Sequence, residues 1–346
     1  MGHRLFCGIL RLLGLPGLRP YRPPEERCIP PFINKKSNRA AEPSAALFPT
    51  EKGAAMQVRL SRREDIPALR ELWCLAFGDD GAYVDNFFAT YYRTERVLVL
   101  EAEGAVRAMT AWFDTQFVVP GRGEYRSAYL YAVATHPDWR SRGLSGRLLA
   151  WADDYFRSLG IPAVTTVPAQ PSLHNFFGAN GFGECFRHME LSLTPEELPP
   201  AGAPVLRQAD PGVYGRVRET LLADLPHIAY PEDAIRYQAG CCALGTGGLF
   251  VGDTAAGPLC LCAEDAGDGL VVLKEYLGSP EACRLALSDL GRVAPARRWL
   301  VRGPRMADEC AANRTKGQFG MLKWLAPELS RSWDWDSVAY LGLAFD

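Results

Sequence analysis

The chain has 346 residues, 48% hydrophobic and 23% charged, a globular composition with room for about two domains. Its 38 basic and 40 acidic residues leave a formal charge of −2, which argues against a broad nucleic-acid-binding face. No apolar run reaches the roughly 18 residues of a membrane-spanning helix, so neither nucleic acid nor membrane is an expected partner.

Ten cysteines are too sparse for a disulfide-stapled scaffold and form no Cys-x-x-Cys pair. The five histidines lack ligand-like spacing, so the expectation is a reduced, cytoplasmic protein without a structural metal. Cys260 and Cys262 alternate on one strand face and read as small core hydrophobes.

Residues 1–55 carry Arg4, Arg11, Arg19 and Arg22 among Pro16, Pro20, Pro23 and Pro24. Proline removes a backbone donor and interrupts helices, so this segment reads as a disordered, basic, proline-rich tail. Arg11 breaks the apolar stretch a secretory signal needs, and Phe6 stands where a myristoylation signal needs Ser or Thr.

From Gln57 onward, Val58 and Leu60 alternate as a strand, and Asp65 before Ile66-Pro67 caps a helix whose apolar face is Leu69, Leu72, Trp73, Ala76 and Phe77, stopped by Gly78. Tyr83, Phe87, Phe88, Tyr91 and Tyr92 recur at helical spacing, as core packing with some lining of a cleft. Strand-like stretches follow at 97–102, 106–119 and 129–135.

The last of these leads into Val133-Ala-Thr-His-Pro-Asp-Trp-Arg-Ser-Arg-Gly-Leu-Ser-Gly-Arg-Leu-Leu149. A strand ends, a short basic loop follows, and a helix begins near Leu144. Gly143 lets the backbone turn so that successive N–H groups and the positive helix end converge on an anion, while Arg140 and Arg142 add charge suited to a diphosphate. The Gly-x-Gly-x-x-Gly and Gly-x4-Gly-Lys-Ser/Thr patterns of nucleotide folds are absent.

Arg140-Ser-Arg-Gly143-Leu-Ser145 resembles the acyl-CoA pyrophosphate loop of the GCN5-related N-acetyltransferase (GNAT) superfamily, Arg/Gln-x-x-Gly-x-Gly/Ala. Ser145 departs mildly from the usual Gly or Ala, and Gly146 follows it. Downstream, after a strand at 163–169, Phe176-Phe-Gly-Ala-Asn-Gly181-Phe182 resembles the Phe-Tyr-x-x-x-Gly-Phe helix end of the same enzymes. The resemblance covers residues 57–195. It implies that the backbone at Val133, Ala134 and Thr135 holds the pantetheine arm of acetyl-CoA. It also implies that the amides of Arg140, Ser141, Arg142, Gly143, Leu144, Ser145 and Gly146 hold the pyrophosphate.

Many GNAT enzymes protonate the leaving thiolate with a tyrosine that here is Phe177, which has no proton to give. His174, one turn earlier on the same helical face, is a candidate substitute, against the alternative of an ordinary half-exposed helix residue. For a base, Tyr129, Tyr131 and Asp114 are candidates, each also an ordinary strand residue. His174 and Tyr131 are the expected catalytic pair. A thiolate leaves readily even without a strong acid.

After a linker at 196–204 a similar order restarts at Val205, with a helix through Val213, Val217 and Leu221, a hairpin around Ala256-Gly257-Pro258, a strand at 270–277, a helix through Ala282, Leu285, Ala286 and Leu290, and a strand at 298–301. Its loop position reads Gly278-Ser-Pro-Glu-Ala-Cys283, without the arginine, and Glu281 would repel a diphosphate. Lys274 and Glu275 read as a strand-edge ion pair.

The fold class implied is α/β, or α+β in some schemes: two tandem GNAT folds, each a mixed, mostly antiparallel sheet flanked by helices, the second degenerate. The domain reading is a tail at 1–55, a catalytic domain at 56–195, a linker at 196–204 and a degenerate copy at 205–346. The Arg-x-Arg-Gly-Leu loop and the Phe-Gly helix end are loosely similar to the enhanced-intracellular-survival group. The resemblance implies an N-acetyltransferase that moves an acetyl group from acetyl-CoA to a small-molecule primary amine. The alternative is an acyl-CoA-binding module without turnover. A homo-oligomer stays open.

Overall fold

Strand β1 (Ala46–Pro49), β2 (Ala55–Leu60), helices α1 (Ile66–Phe77) and α2 (Gly81–Thr90), β3 (Val97–Ala102), β4 (Ala105–Val119), β5 (Gly123–Thr135), α3 (Leu144–Ser158), β6 (Ala163–Thr166), α4 (Pro171–Ala179) and β7 (Gly183–Leu193) make up the first half of the chain. The second half runs through β8 (Leu206–Gln208), α5 (Pro211–Leu222), β9 (His227–Ala229), α6 (Glu232–Cys242), β10 (Gly248–Thr254), β11 (Gly257–Gly267), β12 (Leu270–Gly278), α7 (Pro280–Ala286), α8 (Leu290–Val293), β13 (Arg298–Gly303), β14 (Arg314–Trp324) and α9 (Pro327–Ser332). This computed structural model describes residues 46–49, 55–304 and 314–345. Most of the tail expected at 1–55 lies outside the described residues, but 46–49 form a strand hairpinned onto β2.

The strands build one mixed 14-stranded sheet in the order β1-β2-β3-β4-β5-β6-β14-β7-β13-β12-β11-β10-β8, with β9 on β4. All neighbours are antiparallel except β5 with β6 and β12 with β13. The halves therefore repeat one plan and exchange strands at the centre. Strand β14 of the second half lies beside β6, and β7 of the first half lies beside β13.

Helices α1, α2, α5 and α6 share one sheet face, where a single apolar cluster runs across both halves and takes in Tyr340, Leu341, Leu343 and Phe345. On the other face, α3 and α4 cover a second cluster around Trp112, Leu148 and Phe156, and α7 and α8 a third around Leu261 and Trp299. Burial of these side chains is the main stabilising contribution.

Local signals place most helices as expected, but α6 and α9 are additional, and the helix expected through Ala282, Leu285, Ala286 and Leu290 is divided between α7 and α8. Gly78 ends α1 at φ 75°. Asp65, however, does not cap α1: its carboxylate accepts from Arg59 at 2.6 and 2.9 Å and from the Arg62 N–H at 2.7 Å, so it locks the preceding turn to β2. Lys274 and Glu275 are not a strand-edge pair either. Both are buried in an interior strand with separate partners, Lys274 3.9 Å from Glu264 and Glu275 2.9 Å from Arg218.

Candidate active site

Strands β5 and β6 pair from Ser127↔Ala163 to Leu130↔Thr166, and there β6 ends while β5 continues for five residues to Thr135. The strand expected to reach 169 stops at Thr166. On its other edge β5 carries a β-bulge, since Ala111 pairs with Tyr131 but Met109 pairs with Ala134. Ala132, within the bulge, has φ 51°. A bulge bends and twists a strand, so β5 turns away from β6 and opens a cleft lined by the backbone at 131–135.

The loop beyond is pinned from below and open above. Trp139 is buried, with the guanidinium groups of Arg142 and Arg107 4.7 and 5.0 Å from its ring centre. Arg140 donates to the Thr135 carbonyl at 3.3 Å and Arg142 to that of Asp138 at 2.9 Å. Ser141 and Gly143 both take left-handed backbone angles, φ 61° and 73°, two residues apart. Such a sequence turns successive amides toward one point, and the first N–H groups of α3 have no intrahelical acceptor.

Residues 140–143 are exposed, and nothing lies within 4 Å of where a side chain on Gly143 would start. Thr135 and Ser145 share a hydroxyl hydrogen bond of 2.7 Å that ties the end of β5 to the first turn of α3. The chain thus presents an open cradle of amides with two arginines, at the mouth of a cleft between parting parallel strands. These donors fit the diphosphate of an acyl-CoA.

Tyr131 stands at the first position beyond the last β5–β6 pair. Its hydroxyl lies 3.1 Å from that of Tyr83 on α2 and 3.0 Å from that of Tyr237 on α6. Tyr83 also donates to the Phe345 carbonyl at 3.2 Å, and Tyr129 donates to the Ala344 carbonyl. Rings of Trp73, Phe87, Phe113 and Phe345 surround Tyr131 at 5.3 to 6.3 Å between centres. Burial pushes the phenols of Tyr83, Tyr131 and Tyr237 well above their ordinary range, so all three hold their protons at neutral pH.

The other expected catalytic residue belongs to a different neighbourhood. His174 Nδ1 lies 2.6 Å from Glu184 Oε1 on β7, and the other carboxylate oxygen of Glu184 is buried with no hydrogen-bond partner. Phe177 is 4% exposed and packs on Phe176 and Phe182 in the cluster under α3 and α4, on the opposite sheet face from the cluster that Tyr131 packs against. Asp114 is exposed and bound to Arg96 at 2.8 Å, and Arg96 also reaches Asp233 of α6 at 2.9 Å.

Two contributors come from beyond the first half. Asn86 on α2 donates to the Tyr237 carbonyl at 3.0 Å, and α6 approaches so closely that a side chain at Gly240 would collide with Asn86. Lys323 of β14 donates to the Asn180 carbonyl at the end of α4 at 2.6 Å and reaches Asp153 of α3 at 2.5 Å. Among the described residues, no group of three or more His, Cys, Asp or Glu is placed to hold a metal ion.

Comparison with known proteins agrees with this geometry. Residues 57–183 match the family model described as an acetyltransferase (GNAT) domain. No curated protein matches the sequence. A probable N-acyltransferase from Enterococcus faecalis V583 shares the fold at TM-score 0.63 with 12% identity, over 78% of this chain and 73% of that one. Eis1 from Mycobacterium abscessus gives 0.57 with 13% identity, over 80% and 74%. A tandem GNAT protein from the clavulanic acid biosynthesis pathway gives 0.51 with 12% identity, over 79% and 99%. Residues 57–183 thus match a GNAT acetyltransferase domain, and about four fifths of the chain shares the fold of Eis1 and of a tandem GNAT protein.

Proposed function

We propose that the protein is a cytoplasmic, acetyl-CoA-dependent N-acetyltransferase acting on a small-molecule primary amine. The observation that carries this reading is the amide cradle at residues 140–146, set at the mouth of the cleft where β5 leaves β6. Residues 56–195 form the catalytic unit in this reading, 196–204 a linker, and 205–346 a degenerate copy that helps build the acceptor side. Acetyl-CoA supplies an acetyl group activated as a thioester. The backbone at Val133, Ala134 and Thr135 holds its arm, and the amides of Ser141, Arg142, Gly143, Leu144, Ser145 and Gly146 neutralise its diphosphate, while the Arg140 amide, expected to join them, is taken up by the Pro137 carbonyl at 3.2 Å and leaves Arg140 to act through its charge.

Tyr131 is the proton donor of this reading, because a phenol raised by burial keeps its proton at neutral pH and cannot serve as a resting base. His174, oriented by Glu184, lies at the α4 side and acts there through water. Release of free CoA from acetyl-CoA is measured with and without a panel of small amines and of lysine peptides. Acceleration by small amines alone supports the reading, and acceleration by peptides alone replaces the acceptor class.

A second reading, an acyl-CoA-binding module without turnover, is favoured by one observation. Phe177, in the position of the usual family tyrosine, is buried among Phe176 and Phe182. It predicts that acetyl-CoA binds while no amine speeds CoA release.

A further inference from the structure

The three hydroxyl groups around Tyr131 have three protons and a fixed direction. The Phe345 carbonyl can only accept, so Tyr83 uses its single proton there. The oxygen of Tyr83 must then accept from Tyr131, and the oxygen of Tyr131 must accept from Tyr237. The chain runs one way, from the second half, through the first, to the backbone at residue 345. Tyr237 itself is held by the contact of its carbonyl with Asn86.

We propose that Tyr237, contributed by the degenerate half, is a positioning residue for Tyr131: its hydroxyl holds the Tyr131 oxygen and stabilises the phenolate formed when Tyr131 gives up its proton. This inference rests on the acetyltransferase reading above. In the step, the amine nitrogen bonds to the acetyl carbon, the carbon–sulfur bond breaks, and the Tyr131 hydroxyl turns from the Tyr83 oxygen to give its proton to the departing sulfur, keeping the hydrogen bond it accepts from Tyr237. The phenolate then takes a proton from the acetylated nitrogen, which restores the neutral phenol and leaves amide and free thiol.

The groups facing Tyr131 are Tyr83 from α2, Tyr237 and Cys241 from α6, and Asp79 from the turn between α1 and α2. Burial raises its phenol most, Cys241 and Asp79 add to that, and its hydrogen bonds with Tyr237 and Tyr83 oppose it. Removing the Tyr237 hydroxyl therefore makes Tyr131 a weaker acid.

The test uses the full chain with Tyr237→Phe, Tyr131→Phe and the double variant, plus a fluorinated tyrosine at position 131 read by 19F resonance against pH. Tyr237→Phe is expected to raise the titration midpoint at 131 by about one pH unit, the loss of one charge-assisted hydrogen bond. Its kcat should fall about tenfold with KM for acetyl-CoA unchanged, its alkaline limb should move to higher pH, and Tyr131→Phe should lose about a hundredfold. The double variant should be no slower than Tyr131→Phe alone. An unmoved 19F midpoint, or a Tyr237→Phe loss that persists in full on top of Tyr131→Phe, overturns the inference. A midpoint that moves in a protein without transferase activity overturns the catalytic role and marks the acetyltransferase reading, not the hydrogen-bond chain, as what failed.

Discussion

After Leu130 in the first half and after Leu273 in the second, a strand runs on past its parallel partner through a bulge. The connections from these two strands to their helices differ. In the first half an exposed basic loop with two left-handed residues separates strand from helix. In the second, β12 passes at Gly278 almost directly into α7, and Ser279 takes the Ala282 N–H at 3.1 Å. Glu281 sits in the first turn, paired with Arg284 at 2.7 Å. One helix start is left open for an anion, and the other is closed by its own side chain.

The cleft positions differ in the same sense. Tyr131 is surrounded by hydroxyls and aromatic rings, whereas the second half buries ion pairs: Arg218 with Glu275, and Lys274 near Glu264, which also accepts from Gln238 at 2.6 Å. Arg218 further donates to the carbonyls of Ile228 and Leu341 at 2.8 and 3.3 Å. The second copy has turned its polar groups to holding the C-terminal segment, the segment whose carbonyls end the tyrosine chain.

The comparison breaks most sharply at Gly143. Gly143→Asp places a carboxylate in the cradle and a side chain at φ 73°, so the rise in melting temperature that acetyl-CoA gives the full chain should vanish. Titration calorimetry of the unaltered protein should correspondingly find one equivalent of acetyl-CoA per chain; two would overturn the contrast between the helix starts.

Arg218→Met comes next. It leaves Glu275 buried without its cation, and denaturant unfolding should show a loss of about 3–5 kcal/mol while the 140–146 loop is untouched. Phe177→Tyr, which restores the usual family tyrosine, should cost about 1–3 kcal/mol because its hydroxyl enters an apolar cluster, and it should not raise the rate of transfer. A faster enzyme would instead return the donor role to α4. The smallest effect belongs to Ser279→Ala, about 1 kcal/mol for a lost helix cap with no change in ligand binding.

The cradle was legible in the sequence because it is local: Arg140, Arg142 and Gly143 act through spacing along one loop. Most helices and strands were legible for the same reason, their periodicity and stop signals lying within each segment. Tyr131 was legible as a catalytic candidate on its strand but not with its hydroxyl partners, since Tyr83 and Tyr237 lie far away in sequence and meet it through the packing of α2 on α6. The helix α6 buries Ala234, Ile235, Tyr237, Cys241 and Cys242 at helical spacing, with the polar Gln238 on the same face and Gly240 close against Asn86. The positions of β7 and β14 follow from register between halves, which no local pattern encodes.

That central exchange bears on how the chain acquires its shape. Strand β6 has no second neighbour until β14 arrives, nearly 150 residues later in the chain. During synthesis the first half must wait with an unfilled sheet edge, a pairing of high sequence separation that slows folding and leaves a strand open to wrong partners. Severing the chain at the linker would accordingly release two incomplete sheets, not two working units.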